Sequence, residues 1–361
     1  MDHFSIYISI EGNIVGKAMK TKIISLICIF LAFSGLAVCD EPEQEITPPT
    51  GPYVKNGVDV YTTLEFLYWK AIQDGLCYAD TGVAVVPGTT ASSGKIHRPD
   101  FPWHPGFRVG LGYYPPLDGW DLYANYTFFR SSSTDRAKNS IGNMVPIGLL
   151  FPGLTTLNVN QVTAASNHWD LRFNSVDLEL GRGFYLSRFL TFRLFSGLKF
   201  TWQDQEVRNK YTANQVTLGN TTLPGIAHSK QDQGLWGVGI RFGGNGNWYF
   251  FRSLSIATKV AVSGVWLDYD NTRKDQYQQF ENPALVVNRF TSNMDTIKAV
   301  MELFLGLHGE WWLKDDRYHL ALQGGFDEQL WFHLGQFLFF PTRSQGDFSM
   351  FGLTIKARLD F

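Results

Sequence analysis

The chain has 361 residues, with 31 basic and 33 acidic side chains and a net charge of −2, so it offers no basic face for nucleic acid. Aromatic residues make up 15% of it, with 11 Trp, 15 Tyr and 29 Phe beside 35 Gly. That load is heavy for a soluble domain and ordinary for a membrane barrel, where rings sit at the lipid–water boundary and glycine lets strands bend.

Residues 19–39, MKTKIISLICIFLAFSGLAVC, carry Lys20 and Lys22 ahead of the apolar run Ile23–Phe33 and a small-residue stretch Ser34–Cys39. A basic n-region, a core too short to span a bilayer and a small-residue cleavage region define an export signal. Met19 is then the start, residues 1–18 an upstream extension, and cleavage follows Cys39. A lipidated Cys39 is the rival reading, disfavoured by Val38, which is bulky for a lipoprotein site. Residues 40–57, polar and rich in proline, form a flexible lead-in to a barrel over 58–361. No apolar run of about 18 residues follows residue 40, so the mature chain has no transmembrane helix; strands leave a much weaker hydropathy signal.

Alternation with period 2 recurs along the rest of the chain. From Ile297 to Trp311 the odd positions are apolar or small, and their even neighbours include Lys298, Glu302, His308 and Glu310. Such a pattern puts one set on each face of a strand. Ten segments carry it, at about 59–69, 106–114, 119–129, 169–182, 188–203, 234–242, 252–266, 297–310, 317–332 and 348–361. Short connections fall at 115–118, 183–187, 243–251 and 311–316, and long ones at 70–105, 130–168, 204–233 and 267–296. Bacterial barrels have an even strand count, short periplasmic turns and long outer loops. The fold class expected is therefore all-β, an antiparallel transmembrane barrel of at least ten strands. The stretches LNVNQV, YTANQVTL and ALVVNRF could each hide a further hairpin, which leaves twelve to sixteen strands open.

Parity divides the strands into a lipid face and a lumen face. Tyr68, Phe128, Trp169, Trp202, Trp266 and Phe332 are expected in an outer aromatic girdle, and Tyr113, Trp120, Phe242, Trp311, Tyr318 and Phe361 in an inner one. The opposite parity gives a pore lining of Glu65, Arg108, Asp121, Asp177, Glu179, Arg193, Lys199, Arg241, Lys259, Lys298, Glu302, His308, His319, Gln323, Asp327, Lys356 and Arg358. Buried charges need water or partners, so this lining indicates either a wet channel or a narrow barrel plugged by salt bridges. Pairing Glu310 with Arg317 across the last short turn would set His308 opposite His319, Phe304 opposite Gln323 and Glu302 opposite Gly325. Two histidines in contact would resist double protonation.

Residues 349–361 alternate up to Phe361, which resembles the assembly signal read on barrel clients. No serine sits in a nucleophile-elbow pattern, and His97, His104, His168, His228 and His333 form no specific catalytic set. No enzyme activity, cofactor or metal is expected. Partners expected are outer-membrane lipid, the barrel-assembly machinery and small polar solutes, with a homo-oligomer left open.

Several stretches carry a family likeness: LEFLYWKAIQDGLCYA, GFRVGLGYY, DGWDLYANYT, VDLELGRGFYLSRFLTFRLFSGLKF, GLWGVGIRFG, WWLKDDRYHLALQGGFDEQLWF and FGLTIKARLDF. In order and spacing the chain resembles the pore-forming outer-membrane proteins of legionellae and chlamydia-related bacteria, akin to the chlamydial major outer membrane protein. The resemblance implies a diffusion pore for small polar solutes and an abundant component of the bacterial outer membrane. The cysteines that cross-link the chlamydial envelope are missing here, where the mature chain keeps Cys77. A closed barrel acting as a structural envelope protein or adhesin is the alternative to the porin, and an outer-membrane enzyme the third reading.

Overall fold

The computed structural model describes residues 50–361 apart from 53, 56, 82–93, 117, 140–143, 150–152, 155–156, 283–284, 315 and 339–342. The expected extension, the signal and most of the lead-in lie outside the described residues. Fourteen strands form one antiparallel sheet: β1 (Val60–Gln73), β2 (Ala79–Thr81), β3 (Lys95–His97), β4 (Trp103–Tyr113), β5 (Trp120–Lys138), β6 (Met144–Pro146), β7 (Gly153–Leu154), β8 (Leu157–Ser187), β9 (Leu190–Leu218), β10 (Thr221–Phe251), β11 (Leu254–Gln279), β12 (Leu285–Leu313), β13 (Tyr318–Leu338) and β14 (Arg343–Asp360). Ten of them close a ring in the order β8-β5-β4-β1-β14-β13-β12-β11-β10-β9, with β9 returning to β8. These ten are the ten segments the alternation marks.

The strands run far beyond those segments. β8 and β10 have 31 residues each, roughly 100 Å along the strand, whereas about 9–11 tilted residues cross the lipid. The excess lies on the side opposite the short turns. LNVNQV, YTANQVTL and most of ALVVNRF are the outer ends of β8, β9 and β12, and among the described residues they add no strand to the ring. The wall therefore stands proud of the membrane on its outer side.

Near Trp331 the β13–β14 ladder breaks and resumes at Gly335–Gly346. His333 takes a φ of 52° there, and the chain bends into the lumen. Tyr269 donates to the Leu334 carbonyl (3.0 Å), and the Gln336 and Leu338 amides donate to Gln233 (2.7 Å) and Gln231 (3.0 Å). Leu334 and Phe337 end up buried.

At the periplasmic end the Thr50 amide donates to the Gly183 carbonyl (3.2 Å), the Lys55 amide to Asp316 (2.9 Å) and the Val58 amide to Phe361 (3.2 Å). The lead-in thus crosses from the β8 side of the mouth to the β12–β13 turn before entering β1.

The register of that turn differs from expectation. Leu313 pairs with Tyr318, so Glu310 faces Ala321, His308 faces Gln323, Phe304 faces Asp327 and Glu302 faces Gln329. The ladder is slipped by four residues because Trp311, Trp312 and Leu313 continue the strand. The turn shrinks to 314–317, with Lys314 at φ 50° and Asp316 at φ 68°. An even slip keeps every side chain on its expected face.

Candidate functional site

Of the residues assigned to the lumen, Glu65, Arg108, Asp121, Asp177, Glu179, Lys199, Arg241, Glu302, His319 and Asp327 are buried. Arg193, Lys259, Lys298, His308, Gln323, Lys356 and Arg358 are half-buried. Their chain neighbours include Leu64, Phe66, Ile240, Phe242, Leu303 and Ile355, which are exposed toward lipid. Burial along these strands thus alternates with the same period as the sequence pattern.

At the periplasmic end a cavity of about 560 Å³ is lined by Tyr61, Tyr114, Asp121, Tyr123, Lys356 and Arg358, together with Thr50–Pro52 of the lead-in. Arg358 donates to the Tyr114 hydroxyl (2.6 Å) and to Asp360 (2.6 Å). Burial pushes the Tyr114 phenol, in the turn after β4, above its usual range. His308 and His319 do not meet. Each places Nε2 near one carboxylate oxygen of Glu310, at 3.6 and 3.5 Å, and His319 also bonds Asp360 (2.8 Å). The direct pairing on which the double-protonation expectation rests is absent, since His308 faces Gln323 and His319 faces Trp312.

The charges lining the cavity and lying beyond it join in two ion-pair clusters, one around Arg108 and Glu65 and one around Arg241 and Glu302. Arg108 meets Glu65 (2.6 Å) and Asp327 (3.2 Å), and Lys356 meets Glu65 (3.3 Å). Lys199 meets Asp177 (2.6 Å) and Glu302 (3.0 Å). Arg241 bridges Glu302 (2.7 Å) and Glu179, and Arg193 bridges Glu179 and Asp121 (both 2.8 Å). Lys259 adds a contact to Glu302 (3.4 Å). Six cations face six carboxylates, so the lining is electrically balanced, as a buried network must be. Lys298 joins none of these ion pairs among the described residues. Phe195 lies between the Arg193 and Arg241 guanidinium groups, at 5.3 and 4.9 Å. Opposite it stands Gly243, where a Cβ would come within 2.5 Å of the ring.

Next outward is an aromatic layer that sequence reasoning missed. Trp69, Phe129, Trp169, Phe173 and Trp331 are fully buried. Trp169, expected in the girdle, points inward and donates to Gln205 (3.1 Å); it shares the parity of Asp177 along an unbroken ladder. Trp69 shares the parity of Glu65, and Trp331 that of Asp327, so the polar parity itself was the signal. Phe173 on β8 and Trp331 on β13 stand five strands apart in a ring of ten, yet their ring centroids are 6.0 Å apart. Side chains from opposite walls meet. Gln205 on β9 similarly reaches Gln73 on β1 (3.2 Å).

Tyr68, Trp202, Tyr113, Trp120, Phe242, Trp311 and Tyr318 are exposed as girdle residues should be, and Phe128, Trp266, Phe332 and Phe361 are half-buried. Phe361 hydrogen-bonds to Val58 and Val60, tying the last strand to the first. Cys77 is a free thiol. On the outer wall His168 touches Thr134 (2.7 Å) and Asp170 (2.7 Å). These three are cross-strand and same-face neighbours on an exposed sheet. Among the described residues, no group of three His, Cys, Asp or Glu is arranged to hold a metal.

Comparison with known proteins fits this architecture. The family model described as the Legionella pneumophila major outer membrane protein precursor matches residues 50–361, the whole described barrel. The chain belongs to the Legionella major outer membrane protein family. It is thus an outer-membrane β-barrel protein of the bacterial envelope. No curated protein matches it. Among solved structures, the outer membrane protease OmpT of Escherichia coli aligns at 10% identity and TM-score 0.36, covering 85% of this chain and 97% of that one. A Pseudomonas aeruginosa FadL homologue aligns at 10% identity and TM-score 0.29, over 84% and 89% of the two chains.

Proposed function

We propose that this family member serves as a sealed barrel, a structural component of the outer membrane presenting its tall outer wall to the surroundings. The contact between Phe173 and Trp331 carries the reading, because rings from opposite walls leave no room between them for hydrated solute. Ten strands suit such filling: eight leave space only for side chains, and a clear aqueous channel is typical of about sixteen. Conductance of refolded protein in planar bilayers tests the proposal. The expected outcome is a silent membrane at high protein load, and stepwise openings of the unaltered protein would overturn it.

A second reading is a channel for small polar solutes. It is favoured by the periplasmic cavity lined with both charge signs and by the way the upper seal is built. Trp331 is the last paired residue before the infolded stretch 333–338, so withdrawing that stretch would free it. Under this reading, replacing 334–346 by a short glycine–serine turn yields stepwise openings, while under the first it does not. Catalysis has the weakest support. It would require turnover of peptide or lipid that His168→Ala abolishes.

A further inference from the structure

The outer wall above the lipid carries its charge in rows, and the strand registers show the order. Trp202 and Trp236 face each other across β9 and β10 at the upper girdle. Just above them the lipid-side face is acidic, with Asp204, Glu206 and Asp232 on those strands and Asp270 on β11. Six residues above the girdle pair, one register row reads His168, Arg208, Lys230, Lys274, Arg289 from β8 to β12. In the next row outward Lys210 is exposed on the same face.

Like charges directly opposite one another destabilise a sheet, and this row holds three such pairs in succession: Arg208–Lys230, Lys230–Lys274 and Lys274–Arg289. Glu206 and Asp232 offset Arg208 and Lys230 from the row below. Lys210, Lys274 and Arg289 have no ion-pair partner among the described residues. Ordinary solvated faces intersperse their signs. A contiguous cationic row across adjacent strands is a surface shaped for an anion.

We propose that this row docks the charged sugars of an anionic outer-leaflet glycolipid. Its height selects that partner. Six residues are about 20 Å along the strand, or roughly 15 Å along the membrane normal at a barrel's usual tilt. Aromatic rings mark the headgroup level, so a phospholipid phosphate would sit beside Asp204 and Asp270 and be repelled. Phosphates or carboxylates carried on sugars reach past that acidic band to the cations. Neighbouring glycolipids would then wrap the part of the wall that stands above the bilayer.

The test uses the full chain refolded in detergent and three probes: vesicles bearing lipopolysaccharide with phosphate and carboxylate on its sugars, the same lipid stripped of its sugars, and phosphatidylglycerol. The unaltered protein binds the first far more tightly than the other two, with affinity falling as salt rises. The triple variant Lys210→Gln, Lys274→Gln, Arg289→Gln loses about fivefold per charge, on the order of a hundredfold in all, and its residual binding is less salt-sensitive. If the triple variant lacks the heat-modifiable mobility of the folded barrel, Lys274→Gln alone carries the test at about fivefold. Asp204→Asn with Asp270→Asn changes the other band and strengthens phosphatidylglycerol binding. Three results would each overturn the proposal: no binding of the sugar-bearing lipid, equal binding of the stripped lipid, or unchanged affinity in the glutamine variants of a folded barrel.

Discussion

The lower and upper halves of the lumen solve one problem with different materials. Below, six cations and six carboxylates fill the space through ion pairs. Above, fully buried aromatic rings and an infolded strand end do the same, with Arg273 of the buried Arg273–Asp275 pair donating to the Leu338 carbonyl. The charged half is correlated: each carboxylate there touches one to three cations, so removing one side chain changes the balance around its neighbours. In the aromatic half each ring contributes its own contact area. Loss of a ring leaves a hole but no orphaned charge.

That contrast can be broken in order of expected effect. Arg241→Met takes away the cation shared by Glu179 and Glu302, leaving Glu179 to Arg193 and Glu302 to Lys199 and Lys259, and should cost up to about 3–5 kcal/mol, the figure for removing one partner of a buried ion pair. Adding Glu302→Gln should cost much less than the sum of the two single changes, which a double-mutant cycle in denaturant unfolding measures. Trp331→Ala should lower stability by a comparable or slightly smaller amount, about 3–5 kcal/mol from the cavity left behind. Its effect should add simply to that of a distant change such as Phe195→Leu, in contrast with the coupled charges. Gly243→Val sharpens the boundary between the halves. The added side chain collides with the Phe195 ring held between two guanidinium groups, and overpacking of this kind costs about 1–3 kcal/mol, read as a shifted unfolding midpoint with unchanged slope.

The barrel and its ten ring strands were legible because the lipid imposes a simple alternation, apolar outside and polar inside; the buried Arg273–Asp275 pair, beyond the alternating segment of β11, was not. Nor were strand lengths. From Gln203 to Lys210 the inward face is glutamine, valine and asparagine, while the outward face is Asp204, Glu206, Arg208 and Lys210. Above the bilayer both faces are polar, so hydropathy shows no period and the strand reads as loop. The slip of four in the β12–β13 ladder escaped because parity is blind to even displacements. Trp169, Phe173 and Trp331 escaped for another reason. Rings were expected at lipid boundaries, while their parity, shared with Asp177 and Asp327, already pointed inward. The turn of 333–338 into the lumen rests on a positive φ at His333, a conformation that histidine adopts more readily than most residues but that its presence alone does not announce.

The seam between β1 and β14 also bears on how the barrel forms. Trp69 and Thr354, joined across it by a hydrogen bond, are 285 residues apart in the chain. Contacts of such high order form slowly, since the chain entropy of the closing loop must be overcome first. Until β14 arrives, β1 keeps an exposed hydrogen-bonding edge of the kind that recruits any other strand. Val60 and Val58 complete that edge only by bonding Phe361. Every molecule therefore passes through an open-edged stage, during which closure of the seam competes with aggregation at the free edge.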